Sequence, residues 1–224
     1  MPHGSTTQRP TLVSFSGIDG AGKSTLVEQM VRRLRQDGQT VGVIAVDPSS
    51  PYTGGALLGD RIRMQEFSGD AGVYIRSMAS RGAKGGLAEA VADVCVVMAA
   101  AGRQAILIET MGVGQDEVEV AGLADVTVLV LVPGMGDEVQ SLKAGVMEEA
   151  DIFVVNKSDR EGADRVEREI RTMQSLGSHG DGWVPPVVRT IASSGEGTTT
   201  LVETIDRCVE WLRHRGVAIW RDRR

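Results

Sequence analysis

The stretch Gly17-Ile18-Asp19-Gly20-Ala21-Gly22-Lys23-Ser24 fits the pattern G-x-x-x-x-G-K-[ST]. It lies between a short apolar run, Thr11 to Ser16, and a segment with helical periodicity, Ser24 to Gln36. The glycines allow the backbone to wrap closely around an anion, which then faces the N–H groups and the positive end of the following helix. A strand, a glycine-rich loop and a helix in this order predict a site for the phosphates of a nucleotide.

Side chains of this loop complete the predicted site. Lys23 is expected to contact the β- and γ-phosphates, and the Ser24 hydroxyl is expected to bind Mg²⁺. The residues predicted to hold the phosphates are Gly17, Asp19, Gly20, Ala21, Gly22, Lys23, Ser24 and Thr25.

Short apolar runs alternate with helical segments along the rest of the chain. The further predicted strands are Val41 to Val46, Ala105 to Ile108, Val126 to Val132, Ile152 to Val155 and Val187 to Ile191. The further predicted helices are Leu87 to Ala101, Val139 to Glu149, Glu161 to Leu176 and Thr200 to Arg213. This alternation predicts an α/β fold of the P-loop NTPase type, with a mostly parallel sheet and helices on both faces. We interpret residues 1–224 as a single domain with a polar tail at 1–10 and a basic tail at 214–224.

A second motif indicates which base is bound. Asn156-Lys157-Ser158-Asp159 has the N-K-x-D pattern and follows a predicted strand. The Asp159 carboxylate can accept hydrogen bonds from N1–H and N2–H₂ of guanine, whereas adenine offers no such pair and would leave a buried Asp159 unpaired. The motif therefore predicts that GTP is bound rather than ATP, through Asn156, Lys157 and Asp159. Ala192, Ser193 and Ser194 follow the next strand, where G-proteins commonly place a second loop that contacts the base.

Several long segments carry a resemblance to a known family. They are Val46 to Ser50 with Gly59 to Met64, Ile75 to Gly82, Ile108 to Gln115 with Glu117, and Pro133 to Gln140 with Lys143 to Glu148. These segments resemble the MeaB/MMAA/ArgK family of G-protein chaperones, and the resemblance extends from Val13 to Arg213. It implies a G-domain of the SIMIBI type that hydrolyses GTP to GDP and phosphate with the help of Mg²⁺. Because neither a catalytic glutamine nor an arginine finger can be assigned with certainty, we expect slow intrinsic turnover.

Polar side chains in these segments are candidates for the metal and for the reaction. Oxygen ligands for Mg²⁺ or its water molecules are offered by Asp47, Asp60, Glu109 and Thr110, besides Ser24. Glu109 directly follows an apolar strand, as a Walker-B carboxylate does. Arg63 either reaches the phosphates or lies on the surface. Gln115 either orients the attacking water or holds its loop.

The resemblance also implies three switch segments. Asp60 to Met64 resembles the first, Gly112 to Glu117 the second, and Pro133 to Lys143 a third that couples to the partner. Glycines in these segments permit the two-state loop motion of a nucleotide switch. The predicted switch and partner residues are Gly112, Gly114, Glu117, Gly134, Asp137, Glu138 and Lys143.

Relatives in this family load and protect adenosylcobalamin-dependent acyl-CoA mutases, chiefly methylmalonyl-CoA mutase. The resemblance therefore implies such a mutase as the partner, and the adenosyltransferase that supplies its cofactor as a second one. Two departures stand out. The helical N-terminal extension and the C-terminal dimerisation arm of the family are not recognisable, which puts the usual homodimer in doubt. Asp19 occupies a position where the family often has an apolar residue or proline.

Composition bounds the remaining possibilities. The net charge of −6 argues against a nucleic-acid or anionic-membrane partner. The polar start shows no signal peptide, and no apolar run is long enough to span a membrane. Cys95 and Cys208 form neither a disulfide framework nor a metal motif. The sequence is thus expected to be that of a cytoplasmic protein.

Four other functions are weighed against the chaperone. A nucleotide kinase would account for Ile18-Asp19-Gly20, which resembles thymidylate kinase, but leaves the N-K-x-D motif unexplained. A nickel-insertion GTPase would need cysteine and histidine ligands, whose spacing is not found here. A transport-system kinase, the label attached to ArgK relatives, would need a substrate-binding segment. A regulatory binder would use GTP to switch its affinity for a partner without catalysis.

Overall fold

The computed structural model describes residues 9–48, 64–80, 86–110, 115–134, 149–176 and 182–215. Within these ranges, seven strands form one sheet in the order β3-β2-β4-β1-β5-β6-β7, and all neighbouring strands are parallel. The strands are β1 Thr11–Ser16, β2 Val41–Pro48, β3 Val73–Ser80, β4 Ala105–Thr110, β5 Val126–Leu131, β6 Ile152–Val155 and β7 Val187–Arg189.

Helices connect and cover these strands. They are α1 Lys23–Gln36, α2 Gly86–Ala100, α3 Gln115–Ala121, α4 Ala163–Leu176 and α5 Thr198–His214, and a short 3₁₀ helix spans Gln65–Phe67. None of the helices in the described ranges combines the length and the apolar character that crossing a membrane requires.

Successive side chains of the central strands belong alternately to two separate hydrophobic core clusters. In β4, Ala105 and Leu107 belong to the larger cluster, which contains α1 and α5, whereas Ile106 and Ile108 belong to the smaller one, which contains α2 and residues of α3. Because successive side chains of a strand point to opposite faces, the sheet is covered on both sides. Continuous apolar runs such as β5 and β6 are buried for this reason.

The strand order fixes the place of the ligand site. From β1 the chain moves through α1 to β2 on one side of the sheet, whereas β5 pairs with β1 on the other side. Open parallel sheets bind ligands outside the carboxyl ends of the strands at such a reversal. The loop that follows β1 lies at this point.

The predicted α/β class is confirmed, and the predicted strands all exist, with ends that differ by a few residues at most. One strand and one α-helix were missed, besides the short 3₁₀ helix Gln65–Phe67. Strand β3 lies at the edge of the sheet, and its exposed Tyr74 and Arg76 break the apolar run by which the other strands were recognised. Helix α3 is only seven residues long and falls where the sequence suggested a switch loop. The predicted helix Val139 to Glu149 lies outside the described residues, except for Glu149, which is in a turn.

Candidate nucleotide-binding site

The loop between β1 and α1 needs glycine at its first position. Gly17 has a φ of +145°, and a Cβ atom there would lie 2.3 Å from the carbonyl oxygen of Val130 on β5. Gly22 has a φ of +82°, and a Cβ atom there would lie 2.7 Å from Nδ2 of Asn156. Gly17 thus lets the loop lie against the neighbouring strand, and Gly22 lets it lie against the N-K-x-D segment.

Lys23 places a positive charge beneath this loop. Its side chain is buried, with 5% of the residue exposed. The ammonium donates hydrogen bonds to the carbonyl oxygens of Gly17 and Ile18, the second at 3.2 Å. A buried ammonium held against the inside of a phosphate loop is suited to an anionic ligand.

Helix α1 presents its N-terminus to the same place. Its N-cap residue Gly22 has a left-handed conformation, no side chain caps the helix, and its first turn carries no acidic residue. The first turn of α1 thus brings no negatively charged side chain of its own to this end of the helix. The partial positive charge of the helix end adds to that of Lys23.

The Ser24 hydroxyl donates a hydrogen bond of 2.6 Å to Oε1 of Glu109. Glu109 is 2% exposed and lies near the end of β4, which pairs directly with β1. This confirms that Glu109 belongs to a buried strand beside the phosphate loop. A hydroxyl and a carboxylate oxygen side by side are the kind of hard ligands that Mg²⁺ takes, so these two residues fit the ion.

The other predicted metal ligands differ in how they are placed. Thr110 is fully buried, and its hydroxyl donates a hydrogen bond of 3.3 Å to the carbonyl oxygen of Phe15 on β1. Asp47 follows Val46, which pairs with Thr110, so its backbone lies at the same edge of the sheet as the end of β4. Asp60 lies outside the described residues.

Asn156 joins three segments of the site. Its Nδ2 donates a hydrogen bond of 2.8 Å to the carbonyl oxygen of Ala21 in the phosphate loop. Its Oδ1 accepts hydrogen bonds from the Thr190 hydroxyl at 3.1 Å and from the backbone N–H of Ala192 at 3.0 Å. Asn156 is 1% exposed, so these bonds are shielded from water. One side chain thus ties the phosphate loop to both predicted base loops.

Lys157 and Asp159 complete the motif. Lys157 has a φ of +54°, unusual for a residue other than glycine, and its ammonium donates a hydrogen bond of 2.7 Å to the carbonyl oxygen of Gly20. Asp159 is exposed, which corrects the argument that relied on its burial.

The second base loop follows β7. Ala192 is buried, and Ser193 and Ser194 are exposed. The Ser194 hydroxyl donates to the carbonyl oxygen of Ile191 at 3.1 Å, which closes a tight turn. Gly197 ends this loop with a φ of +79°, and a Cβ atom there would lie 2.1 Å from the carbonyl oxygen of Arg189. The loop is therefore held by its own turn and by Asn156.

Sequence reasoning missed Thr190, which is fully buried and donates to Asn156. Its signal was its position at the end of β7, directly before the second base loop. Among the remaining predicted residues, Gly134 is an exposed turn residue with a φ of +89°, and Gln115 and Glu117 lie in α3. The predictions outside the described residues are Arg63, Gly112, Gly114, Asp137, Glu138 and Lys143.

No group of three or more histidine, cysteine, aspartate or glutamate side chains that could hold a metal ion occurs in the described ranges. Cys95 is buried, and burial raises the pKa of its thiol to about 12. A thiol of this kind is protonated at neutral pH and is unsuited to metal binding.

Comparisons with known proteins identify relatives that are named as GTPases. A Pyrococcus abyssi protein, provisionally named a GTPase, is 52% identical over 208 residues, which make up 92% of this chain and 64% of that protein. The mitochondrial methylmalonic aciduria type A homolog of Mus musculus is 42% identical over 197 residues, 87% of this chain and 48% of that protein. The chain thus spans between about half and two thirds of the length of these relatives.

The crystal structure of an LAO/AO transport system kinase superposes with a TM-score of 0.73 at 27% identity, over 94% of this chain and 62% of that one. The sequence profile of the methylmalonyl-CoA mutase-associated GTPase MeaB matches residues 3–224. This match covers nearly the whole chain, and the chain therefore belongs to the MeaB family of methylmalonyl-CoA mutase-associated GTPases.

Proposed function

We propose that this chain binds GTP together with Mg²⁺ and hydrolyses it to GDP and phosphate. The observation that carries the proposal is the Asn156 side chain, which bonds to the phosphate loop and to the loop of Ala192. This side chain connects the segment of the N-K-x-D motif directly to the phosphate loop, so a nucleotide held by that loop would have the motif beside it. A kinase of nucleoside monophosphates would leave this contact between the N-K-x-D motif and the phosphate loop unexplained.

The reaction is the attack of water on the γ-phosphorus, with GDP as the leaving group. The Lys23 ammonium would stabilise the negative charge that develops on the phosphate oxygens. Ser24 and Glu109 would hold Mg²⁺, with Asp47, Asp60 and Thr110 as further candidates, and the bound ion would neutralise the β- and γ-phosphate oxygens. Gln115 is our candidate for orienting the water and Arg63 for contacting the phosphates.

The nucleotide state would act on a partner. We assign this chain to the gating of adenosylcobalamin loading and protection in a cobalamin-dependent acyl-CoA mutase, methylmalonyl-CoA mutase or a relative. Support comes from the family, whose description contains the mutase, and from the mouse relative. The segments that begin at Asp60, Gly112 and Pro133 would be the three switches, and the third would couple to the partner.

Base specificity tests the first half of the proposal. The wild type should bind GDP and GTP more tightly than ADP and ATP in calorimetric titrations. Asp159→Asn should lower the affinity for GDP about 10- to 100-fold, because the charged acceptor for two base N–H groups is lost. The same variant should gain affinity for xanthosine diphosphate, whose C2 carbonyl can accept from the new amide. Glu161→Gln, an exposed neighbour with the same change of charge, is the control. Unchanged base preference in Asp159→Asn would contradict the proposal.

Partner stimulation tests the second half. GTP hydrolysis is measured with the chain alone and with purified cobalamin-dependent acyl-CoA mutases, and Lys23→Ala serves as the inactive control. We expect slow turnover alone and faster turnover with one mutase. Binding of GTP without stimulation by any mutase would refute the chaperone role. It would instead favour a role in metal insertion, as a transport-system kinase or as a regulatory binder.

A further inference from the structure

Asp19 occupies the corner of a tight turn inside the phosphate loop. The N–H of Ala21 donates a hydrogen bond of 3.3 Å to the carbonyl oxygen of Ile18, which closes the turn, and Gly20 follows Asp19 with a φ of +77°. Asp19 itself is exposed. A glycine-rich phosphate loop does not require a carboxylate at this position, so the charge calls for an explanation of its own.

Two ammonium groups are anchored on either side of this residue. Lys23 donates to the carbonyl oxygens of Gly17 and Ile18, directly before Asp19, and Lys157 donates to the carbonyl oxygen of Gly20, directly after it. The carboxylate thus belongs to the one residue between the two anchoring points. It brings negative charge to a loop whose lysines and helix end all attract anions.

The place of the terminal phosphate follows from Lys23. In a phosphate loop this lysine contacts the β- and γ-phosphates, and here its ammonium lies 3.2 Å from the oxygen of Ile18, the residue before Asp19. The phosphate that Lys23 contacts therefore lies close to residue 19, well within the distance over which salt leaves charges unscreened. GTP brings one more negative charge to this place than GDP does.

We propose that Asp19 is a specificity-determining residue that weakens the binding of the γ-phosphate and so biases the site towards GDP. The effect is electrostatic, because the carboxylate repels the charge that distinguishes the two nucleotides. A basic side chain of a partner would relieve this repulsion and favour the GTP state. This inference rests on the proposed function, since it presumes a guanine nucleotide in the loop.

Asp19→Asn provides the test because asparagine has the same shape and tolerates the same turn. Affinities for GDP and for a GTP analogue with a β,γ-imido bridge are measured by calorimetry in the presence of Mg²⁺. We expect the affinity for the GTP analogue to rise about 3- to 30-fold and the affinity for GDP to rise several-fold less, so that their ratio shifts towards GTP. The difference between variant and wild type should shrink at high salt.

Glu210→Gln, on the exposed side of α5, removes the same charge far from the loop in sequence and is the matched control. It should leave the ratio of the two affinities unchanged. Equal increases for both nucleotides in Asp19→Asn, or an unchanged ratio, would overturn the inference while leaving the proposed function intact. If the wild type binds no guanine nucleotide, the proposed function fails, and the inference fails with it.

Discussion

The side-chain amide of Asn156 lies 2.8 Å from the carbonyl oxygen of Ala21, and this bond joins segments that are 135 residues apart in the chain. The same side chain accepts from Thr190 and Ala192. Asn156 therefore has a structural role, because its side chain fixes the phosphate loop and the base loops relative to one another. Its role in the motif can be tested apart from any contact to a nucleotide.

Replacing Asn156 by Ala should lower both stability and nucleotide affinity. Three buried hydrogen bonds are lost, and their partners are left in a site closed to water, so we expect a loss of about 2–4 kcal/mol in the free energy of unfolding. Urea denaturation without nucleotide is the measurement. Arg160→Ala, an exposed neighbour, should change stability little. A stable Asn156→Ala protein would show that the loops hold their positions without this side chain.

Two glycines of the phosphate loop should respond differently to a methyl group. In Gly17→Ala the Cβ atom would meet a backbone oxygen at 2.3 Å, so strand β5 or the loop must shift, and we expect a poorly folded protein. In Gly20→Ala nothing lies within 4 Å of the new atom, and only the positive φ is penalised, by about 1 kcal/mol. Thermal unfolding compares the two. Similar unfolding temperatures for both variants would contradict the packing seen at Gly17.

Ser24→Ala should remove much of the effect of Mg²⁺ on nucleotide binding. The hydroxyl oxygen beside Glu109 is one of the two described ligands that fit the ion. GDP affinity is measured with Mg²⁺ and with a chelator. The wild type should bind more tightly with Mg²⁺, and the variant should show little difference. An undiminished Mg²⁺ effect in the variant would indicate that other ligands hold the ion.

Acid should weaken the contact between α1 and the 3₁₀ helix. Arg32 donates to both oxygens of Glu66, at 2.7 and 2.8 Å, and these hydrogen bonds are the main reason why the pKa of Glu66 is lowered. A lowered pKa means that Glu66 stabilises the fold above its unfolded pKa of about 4.3. This stabilisation is lost as the pH falls below that value, through the pKa of the folded state.

Glu66→Gln should therefore cost about 0.5–1 kcal/mol at pH 7, since the pair is partly exposed, and this cost should shrink as the pH falls below about 4. Urea midpoints at several pH values test this. Glu28 also contacts Arg32, but burial is the main cause that raises its pKa. Glu28→Gln should thus be less costly at pH 7 than Glu66→Gln. The reverse order would show that Glu28 is the main partner of Arg32.

The candidate site residues that belong to the phosphate loop and to the N-K-x-D motif could be proposed from the sequence alone, because each motif is a local pattern. The phosphate loop and the N-K-x-D motif are each defined by residue types at a fixed spacing, and each directly follows a buried apolar strand. What joins them was not predictable, because it depends on strand order. The neighbourhood of β1 and β4 brings Glu109 to Ser24, and the neighbourhood of β6 and β7 brings Thr190 to Asn156. No local pattern encodes these pairings.

Edge strand β3 escaped prediction for a related reason. Its exposed residues alternate with half-buried ones, and half-burial comes from its place beside β2, not from its own composition. The conformation of Lys157 also escaped, because a positive φ in this residue is imposed by its surroundings. Both features belong to the assembled sheet.

The unequal core clusters on the two faces of the sheet should set the order in which amide hydrogens exchange. The larger cluster lies under the phosphate loop and includes α1 and α5, whereas the smaller one supports α2 and α3. Cooperative units with less buried surface open at lower free energy. The α2–α3 layer would then open while Lys23 and Asn156 stay in place. Gln115 and Glu117 of the predicted second switch segment lie in α3 and thus in the layer that opens most readily.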